Sequence, residues 1–330
     1  MSAPTCRACG SQRVTLRGKK RGAFIPREFE FHACADCGFQ SVEPFSGFAI
    51  YNDDYYQGRG PDPYVDYQSE YTDYRRTDRL HEFEDLARIA ADYVRSSEQR
   101  VASSEHHASE GSVPSTRYSP PPLAWLDFGC GAGGFLKFLR DHGPLAGRPL
   151  TLSGHDVGSY ADLLKNTDRF RILDLEELGR EPTASYDVIS MIEVVEHLPD
   201  PAAALTLVAR LLKPGGLLLL TTGNMDSPVA RRQGIQYRYC APEIHVSLFN
   251  PRSLARLYAR VGLEPHAVRY RGTVRFKVLK TLRHQRVPRA LAGLALCLPP
   301  FRWAVDWLYG VSAMPCAVKP AVRGQTEQAD

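Results

Sequence analysis

From residue 123 onward, apolar runs of strand length alternate with segments of helical period, and no other feature limits the possible folds as tightly. LAWLDF (123–128), PLTLSGHD (149–156), RFRILD (169–174), YDVISMI (186–192) and LLLLTT (217–222) read as strands. Between the first two, GGFLKFLRDHG puts Phe135, Leu136, Phe138 and Leu139 inward. PAAALTLVARLLK opens with Asp200 as N-cap and Pro201 at the first helical position. SLARLYARV is capped by Asn250-Pro251 and stopped by Gly262. Strands joined through helices predict a parallel sheet with helices on its faces, and a run such as LLLL suits a strand buried on both sides.

Open parallel sheets bind ligands at the carboxyl ends of their strands, so the residues there carry the functional information. DFGCGAGG (127–134) lies between the first strand and the first helix. Gly129, Gly131 and Gly133 remove side chains where backbone approaches a ligand at a helix N-terminus, although a glycine turn by itself also serves helix–strand packing. Asp156 closes the second strand, where a carboxylate can grip ribose hydroxyls, and Asp174 closes the third. The fourth strand runs into IEVVEHLPDP, which sets Glu193, Glu196 and His197 at the same sheet edge. Two acids and an imidazole after a buried strand are costly unless solvated, paired or used.

Taken in order, DFGCGAGG, the strand end at Asp156, RILDLEEL, YDVISMIEVVEHLPDP and LLKPGGLLLLTT resemble the motifs of class I S-adenosylmethionine-dependent methyltransferases, nearest the ubiquinone-biosynthesis-like O-methyltransferases. The resemblance covers about residues 120 to 265. It implies a Rossmann-like seven-stranded sheet, its last strand antiparallel, with helices on both faces. By position it implies that Asp127, Gly129, Gly131 and Gly133 surround the methionine part of S-adenosylmethionine. Asp156 would hold the ribose, Asp174 and the Leu175 backbone the adenine, and Ile192 and Glu193 would flank the methyl donor. A nicotinamide dehydrogenase would share the glycine loop, but EHLPDP and KPGG argue against one.

Glu193, Glu196, His197 and a distant His245 in APEIHVSLF make up the expected catalytic set. The pattern resembles the magnesium-binding set of ubiquinone-type O-methyltransferases and small-RNA 2′-O-methyltransferases, which implies magnesium or manganese beside the acceptor. Two alternatives stay open: His197 or His245 as a metal-free general base, or Glu196 and His197 shaping the turn before Asp200.

The amino-terminal part follows different rules. Cys6-x-x-Cys9 and Cys34-x-x-Cys37, each pair followed by glycine, give the C-x2-C-x24-C-x2-C spacing of a zinc ribbon in residues 1 to 45. Four thiolates leave no open position for water, so the expected zinc is structural. Similar ribbons precede the methyltransferase domain in sugar C-methyltransferases and some ribosomal RNA methyltransferases. Residues 46–95 hold a tyrosine-rich stretch and a helix with Leu80, Phe83, Leu86, Ala87, Ala90, Tyr93 and Val94 on one face, expected to cover the cofactor site. Residues 96–122, with eight serines and four prolines, read as a flexible linker before a domain over 123–330.

Pro265 to Val305 holds no acid but nine lysines and arginines, and Trp303 and Trp307 sit at its end. Such a basic carboxy-terminal extension suits an anionic membrane surface, or a solvated cover over the substrate cleft. A net charge of +4 over 330 residues excludes little but does not mark a nucleic-acid binder. The expected function is therefore methyl transfer to a small-molecule or saccharide acceptor, at oxygen. An RNA methyltransferase that holds nucleic acid with its ribbon and basic segment is the alternative. No apolar stretch reaches the roughly 20 residues of a membrane span, and MSAPTCRACG lacks the apolar core of a secretory signal. With cysteine usage that suits a reduced compartment, a cytoplasmic location is expected.

Overall fold

The computed structural model describes residues 5–62, 67–106, 121–284 and 299–321. The chain opens with three antiparallel strands, β1 (Val14–Arg21), β2 (Glu28–Cys34) and β3 (Gln40–Glu43). At the two cysteine turns the backbone repeats itself: Gly10 N donates to Cys6 O at 2.8 Å, and Gly38 N to Cys34 O at 2.9 Å. Two short helices follow, α1 (Asp53–Tyr56) and α2 (Tyr67–Asp73). The long helix α3 (Leu80–His106) then buries Phe83, Leu86, Ala87, Ala90 and Val94, the inward face expected from their spacing.

The helix α3 does not stop at residue 95. Its last 11 residues, 96–106, lie within the expected linker, because serine, glutamate, glutamine and arginine tolerate a helix already begun, and no glycine or proline interrupts before Gly111. An ion pair from Glu98 to Arg148 at 3.5 Å ties this end to the main domain. The rest of the expected linker, 107–120, lies outside the described residues.

The main domain runs β4 (Leu123–Phe128), α4 (Gly134–His142), β5 (Leu150–His155), α5 (Tyr160–Asn166), β6 (Arg171–Leu173), α6 (Leu175–Arg180), β7 (Tyr186–Ile192), α7 (Pro201–Leu211) and β8 (Leu212–Thr221). It continues with α8 (Pro228–Gln233), β9 (Ser247–Leu248), α9 (Pro251–Arg260), β10 (Glu264–His266), α10 (Gly272–His284), α11 (Pro299–Tyr309) and β11 (Cys316–Val318). Seven strands form one sheet in the order β10-β11-β8-β7-β4-β5-β6. β4 to β8 are parallel, and β11 is antiparallel to both neighbours. The antiparallel last strand implied by the resemblance is thus β11. Its position corrects one boundary. The basic stretch is an insertion between β10 and β11, not an extension beyond the fold, and CAV is too short to announce a strand from sequence.

Side chains alternate across the sheet because successive strand residues point to opposite faces. Leu126, Phe128, Ile189, Met191, Leu218 and Leu220 pack with α6, α7 and α9, whereas Trp125, Val188, Leu217 and Leu219 pack with α3, α4, α10 and α11. Asp200 caps α7 by accepting from Ala203 N, and Asn250 and Ser253 form a capping box on α9. Each such cap contributes about 1 kcal/mol.

The ribbon is fused to this core rather than tethered. β3 pairs with β9 through Gln40–Leu248 and Ser41–Ser247, making a second, four-stranded sheet. The ring of Phe39 meets Phe249 edge-on at 5.1 Å, and Cys6, Ala8 and Cys37 share an apolar cluster with Leu254 and Leu257.

Candidate active site

A cavity of about 390 Å³ opens at the carboxyl ends of β4, β5 and β7. Gly129, Cys130 and Gly131 form part of its wall. Gly131 has φ +54°, and a Cβ there would stand 3.2 Å from Tyr67 Cε1. Gly133 plays a different part: it begins α4 at φ +74°, where a Cβ would run into Leu164, so its side is closed by packing and does not line the cavity.

Asp156 pins the loop to the neighbouring strand. Its Oδ2 accepts from Gly131 N at 2.8 Å, and its Oδ1 accepts from Gly158 N at 2.7 Å and from Tyr56 O–H at 2.9 Å. Asp127, only 2% exposed, accepts from Ser190 O–H at 2.6 Å, and Ser190 Oγ in turn accepts from Trp125 Nε1–H at 2.9 Å. Burial pushes the Asp127 carboxyl up to about 7, against the hydrogen bond from Ser190 and the charge of Arg79. Asp174 stays out of the cavity: it caps α6, accepting from Glu177 N at 2.7 Å, while Leu175 beside it is 55% exposed and lines the mouth. Ile192 also lines the wall.

At the far end the structure separates the four expected catalytic residues. Glu193 and His197 line the cavity, whereas Glu196 and His245 stand behind them, 0% and 9% exposed. Glu193 has φ +55°, the left-handed region a side chain normally avoids, and its N–H donates to Thr221 O at 3.0 Å. Backbone strain of this kind gathers at functional sites. Glu196 accepts from Thr222 O–H at 2.9 Å and Tyr239 O–H at 2.7 Å. Its burial, with the charge of Glu193, pushes its carboxyl up to about 8.

Burial and the neighbouring His245 push His197 down to about 3, so its imidazole is neutral at neutral pH. His197 Nδ1 lies 3.1 Å from Ile244 O and 2.8 Å from Tyr51 Oη. A carbonyl only accepts, so Nδ1 carries the proton and Nε2 keeps the lone pair. His245 Nδ1 meets Tyr239 O at 2.6 Å, which fixes the same tautomer. One ligand atom from each of Glu196, His197 and His245 lies within 4.8 Å of the others. Glu193 is outside that group.

Several lining residues are not singled out one by one in the sequence. Tyr51, Tyr55, Tyr56 and Tyr67 bring the tyrosine-rich stretch down onto the cavity, with Tyr56 on Asp156 and Tyr51 on His197. Glu70 and Arg79 line it too. Arg79 lies 3.2 Å from Glu70 and 3.4 Å from Glu82. Burial alone would lower its basicity, but the two carboxylates outweigh burial and raise it. The density of tyrosine was a visible hint. Nothing in YRRTDR distinguishes Arg79 from its neighbours.

The four ribbon cysteines converge away from this cavity. Cys6 and Cys37 sulfurs are 3.6 Å apart, Cys9 and Cys34 3.7 Å, and all four lie within 4.8 Å of one another. That donor set fits a tetrahedral zinc. Cys130, Cys240 and Cys316 are buried elsewhere, and Cys297 lies outside the described residues.

A glycine loop after the first parallel strand, acids at the ends of the next two, and an antiparallel strand inserted beside β8 are the arrangement of class I S-adenosylmethionine-dependent methyltransferases. Residues 100–268 match the family described as a methyltransferase domain, and the chain belongs to that family. It is 34% identical over 108 residues to a ubiquinone biosynthesis O-methyltransferase of Xanthomonas oryzae pv. oryzae, covering 30% of this chain and 42% of that protein. It is 31% identical over 163 residues to the ubiquinone biosynthesis O-methyltransferase of Bordetella pertussis, covering 44% of this chain and 63% of that one. The chain thus spans 42% and 63% of these relatives' lengths. Among solved structures it is similar to a SAM-dependent methyltransferase from Archaeoglobus fulgidus, at 17% identity and a TM-score of 0.36, covering 60% of this chain and 85% of that one. Among the described residues no helix is long and apolar enough to cross a membrane.

Proposed function

We propose that the chain transfers the methyl group of S-adenosylmethionine to an oxygen of a small-molecule or saccharide acceptor. One observation carries this reading: a single cavity joins the glycine loop and Asp156 at one end to Glu193 and His197 at the other. Val157 and Leu175, each 55% exposed, offer an apolar mouth suited to a flat heteroaromatic ring. Asp156 is the residue we assign to the ribose hydroxyls. Arg79 offers a guanidinium to a carboxylate, and Asp127, Glu70 and Glu193 offer negative charge to an ammonium and a sulfonium. When bound, the cofactor supplies an electrophilic methyl group on a sulfonium sulfur. The chain's own task is to hold the acceptor oxygen in line and take its proton. His197 is the residue we assign to the proton, and Ile244 O and Tyr51 hold its ring in position. The names of both relatives favour oxygen over carbon or nitrogen as the atom methylated.

The test is calorimetric titration with S-adenosylmethionine of wild type, Gly131→Val and His197→Ala. The valine variant should lose binding by more than tenfold, because its side chain meets Tyr67 and fills cofactor space, and circular dichroism checks its fold. The alanine variant should keep cofactor affinity and lose methyl transfer to hydroxylated acceptors. Unchanged affinity in Gly131→Val would remove the cofactor reading.

The grouping of Glu196, His197 and His245 favours a second reading, in which they hold magnesium or manganese. Manganese binding followed by electron spin resonance, in wild type and Glu196→Gln with the ribbon zinc loaded, decides between the two. No bound manganese leaves His197 acting without a metal.

A further inference from the structure

Two of the three tryptophans share one exposed face. Trp303 and Trp307 lie one turn apart on α11 and are 72% and 68% exposed. Val305, half a turn round the helix, points the other way and packs with Val274 and Val278 of α10. Trp125 is fully buried under the sheet. An indole pair left in water forgoes a large burial gain, and exposed apolar patches of this kind mark interaction sites.

The surroundings select the partner. From Pro265 to Val305 there is no aspartate or glutamate, and α10 reads GTVRFKVLKTLRH, with Arg275, Lys277, Lys280 and Arg283. Arg269, Arg271 and Arg275 are exposed. The same stretch is the insertion between β10 and β11, and none of its described residues lines the cavity. Indoles favour the boundary between headgroups and acyl chains, and cations favour the phosphates of anionic lipids. With no membrane-spanning helix among the described residues, contact would be at the surface.

We propose that this insertion docks the protein on anionic membrane surfaces, with Trp303 and Trp307 entering the headgroup region and the exposed Arg269, Arg271 and Arg275 facing lipid phosphate.

Zinc-loaded full chain is mixed with vesicles of phosphatidylcholine alone or with phosphatidylglycerol. Since Trp125 is buried, a change in tryptophan emission reports Trp303 and Trp307. A blue shift and quenching by brominated lipid are expected with the anionic vesicles, weakening as salt rises. Co-sedimentation should show at least a tenfold loss in a Trp303→Ser, Trp307→Ser variant whose melting temperature is unchanged. No shift with anionic vesicles, or equal sedimentation of the variant, overturns the proposal. A shift that follows protein concentration without lipid also overturns it and assigns the face to a second copy of the chain.

Discussion

Replacing Arg79 with methionine should destabilise the chain by about 3–5 kcal/mol at neutral pH. The guanidinium lies 3.2 Å from Glu70 and 3.4 Å from Glu82, residues only 4% and 0% exposed. At an effective dielectric of about 20, each contact contributes roughly 5 kcal/mol of attraction, and the desolvation of Arg79 offsets part of the sum. Methionine keeps most of the aliphatic volume against Phe83, so the loss is one of charge. The assay is urea unfolding followed by circular dichroism at pH 7.5 and pH 5. Without Arg79 the folded state favours protonated carboxyls, so the deficit should shrink as pH falls. Adding Glu82→Gln should recover part of it at pH 7.5. A deficit below about 1 kcal/mol, or one that is the same at both pH values, would refute the assignment of Arg79 as the cation that neutralises this buried acidic pair.

Asp127 gives a pH dependence of definite sign. Its carboxyl is raised from 3.8 to about 7 by burial, so the folded chain holds a proton that the unfolded chain has released across that window. Stability should therefore fall as pH rises from about 4 to about 7, by up to roughly 4 kcal/mol. Asp127→Asn should flatten that slope in thermal melts, and an unaltered slope would locate the titration elsewhere. In the ribbon, a Cys34→Ser, Cys37→Ser variant should lose one zinc per chain by metal analysis. Because β3 pairs with β9, the same variant should also melt several degrees lower; stoichiometric zinc would break the ligand assignment.

Local chemistry explains how far the sequence could be followed. The parallel sheet was legible because buried strands are long apolar runs and because Asp200-Pro201 and Asn250-Pro251 announce their helices. The glycine loop and Asp156 could be placed since both sit where a strand ends. What stayed hidden depends on contacts across the chain. Asp174 and Gly133 have the right spacing, yet one caps a helix and the other packs on Leu164. Arg79 becomes distinctive only when α2 and α3 bring Glu70 and Glu82 around it. The left-handed backbone at Glu193 has no sequence signature at all.

The position of β11 has a consequence for synthesis. His266 of β10 pairs with Cys316 of β11, fifty residues further along, and β11 alone separates β10 from β8. On the ribosome, β4 to β8 can pair as they emerge, but β8 keeps a bare edge until the whole insertion has been made. A nascent chain is therefore most exposed to mispairing while the tryptophan- and arginine-rich insertion is being translated. A deletion that removes only residues 316–318 should leave the cavity residues intact and still yield insoluble protein.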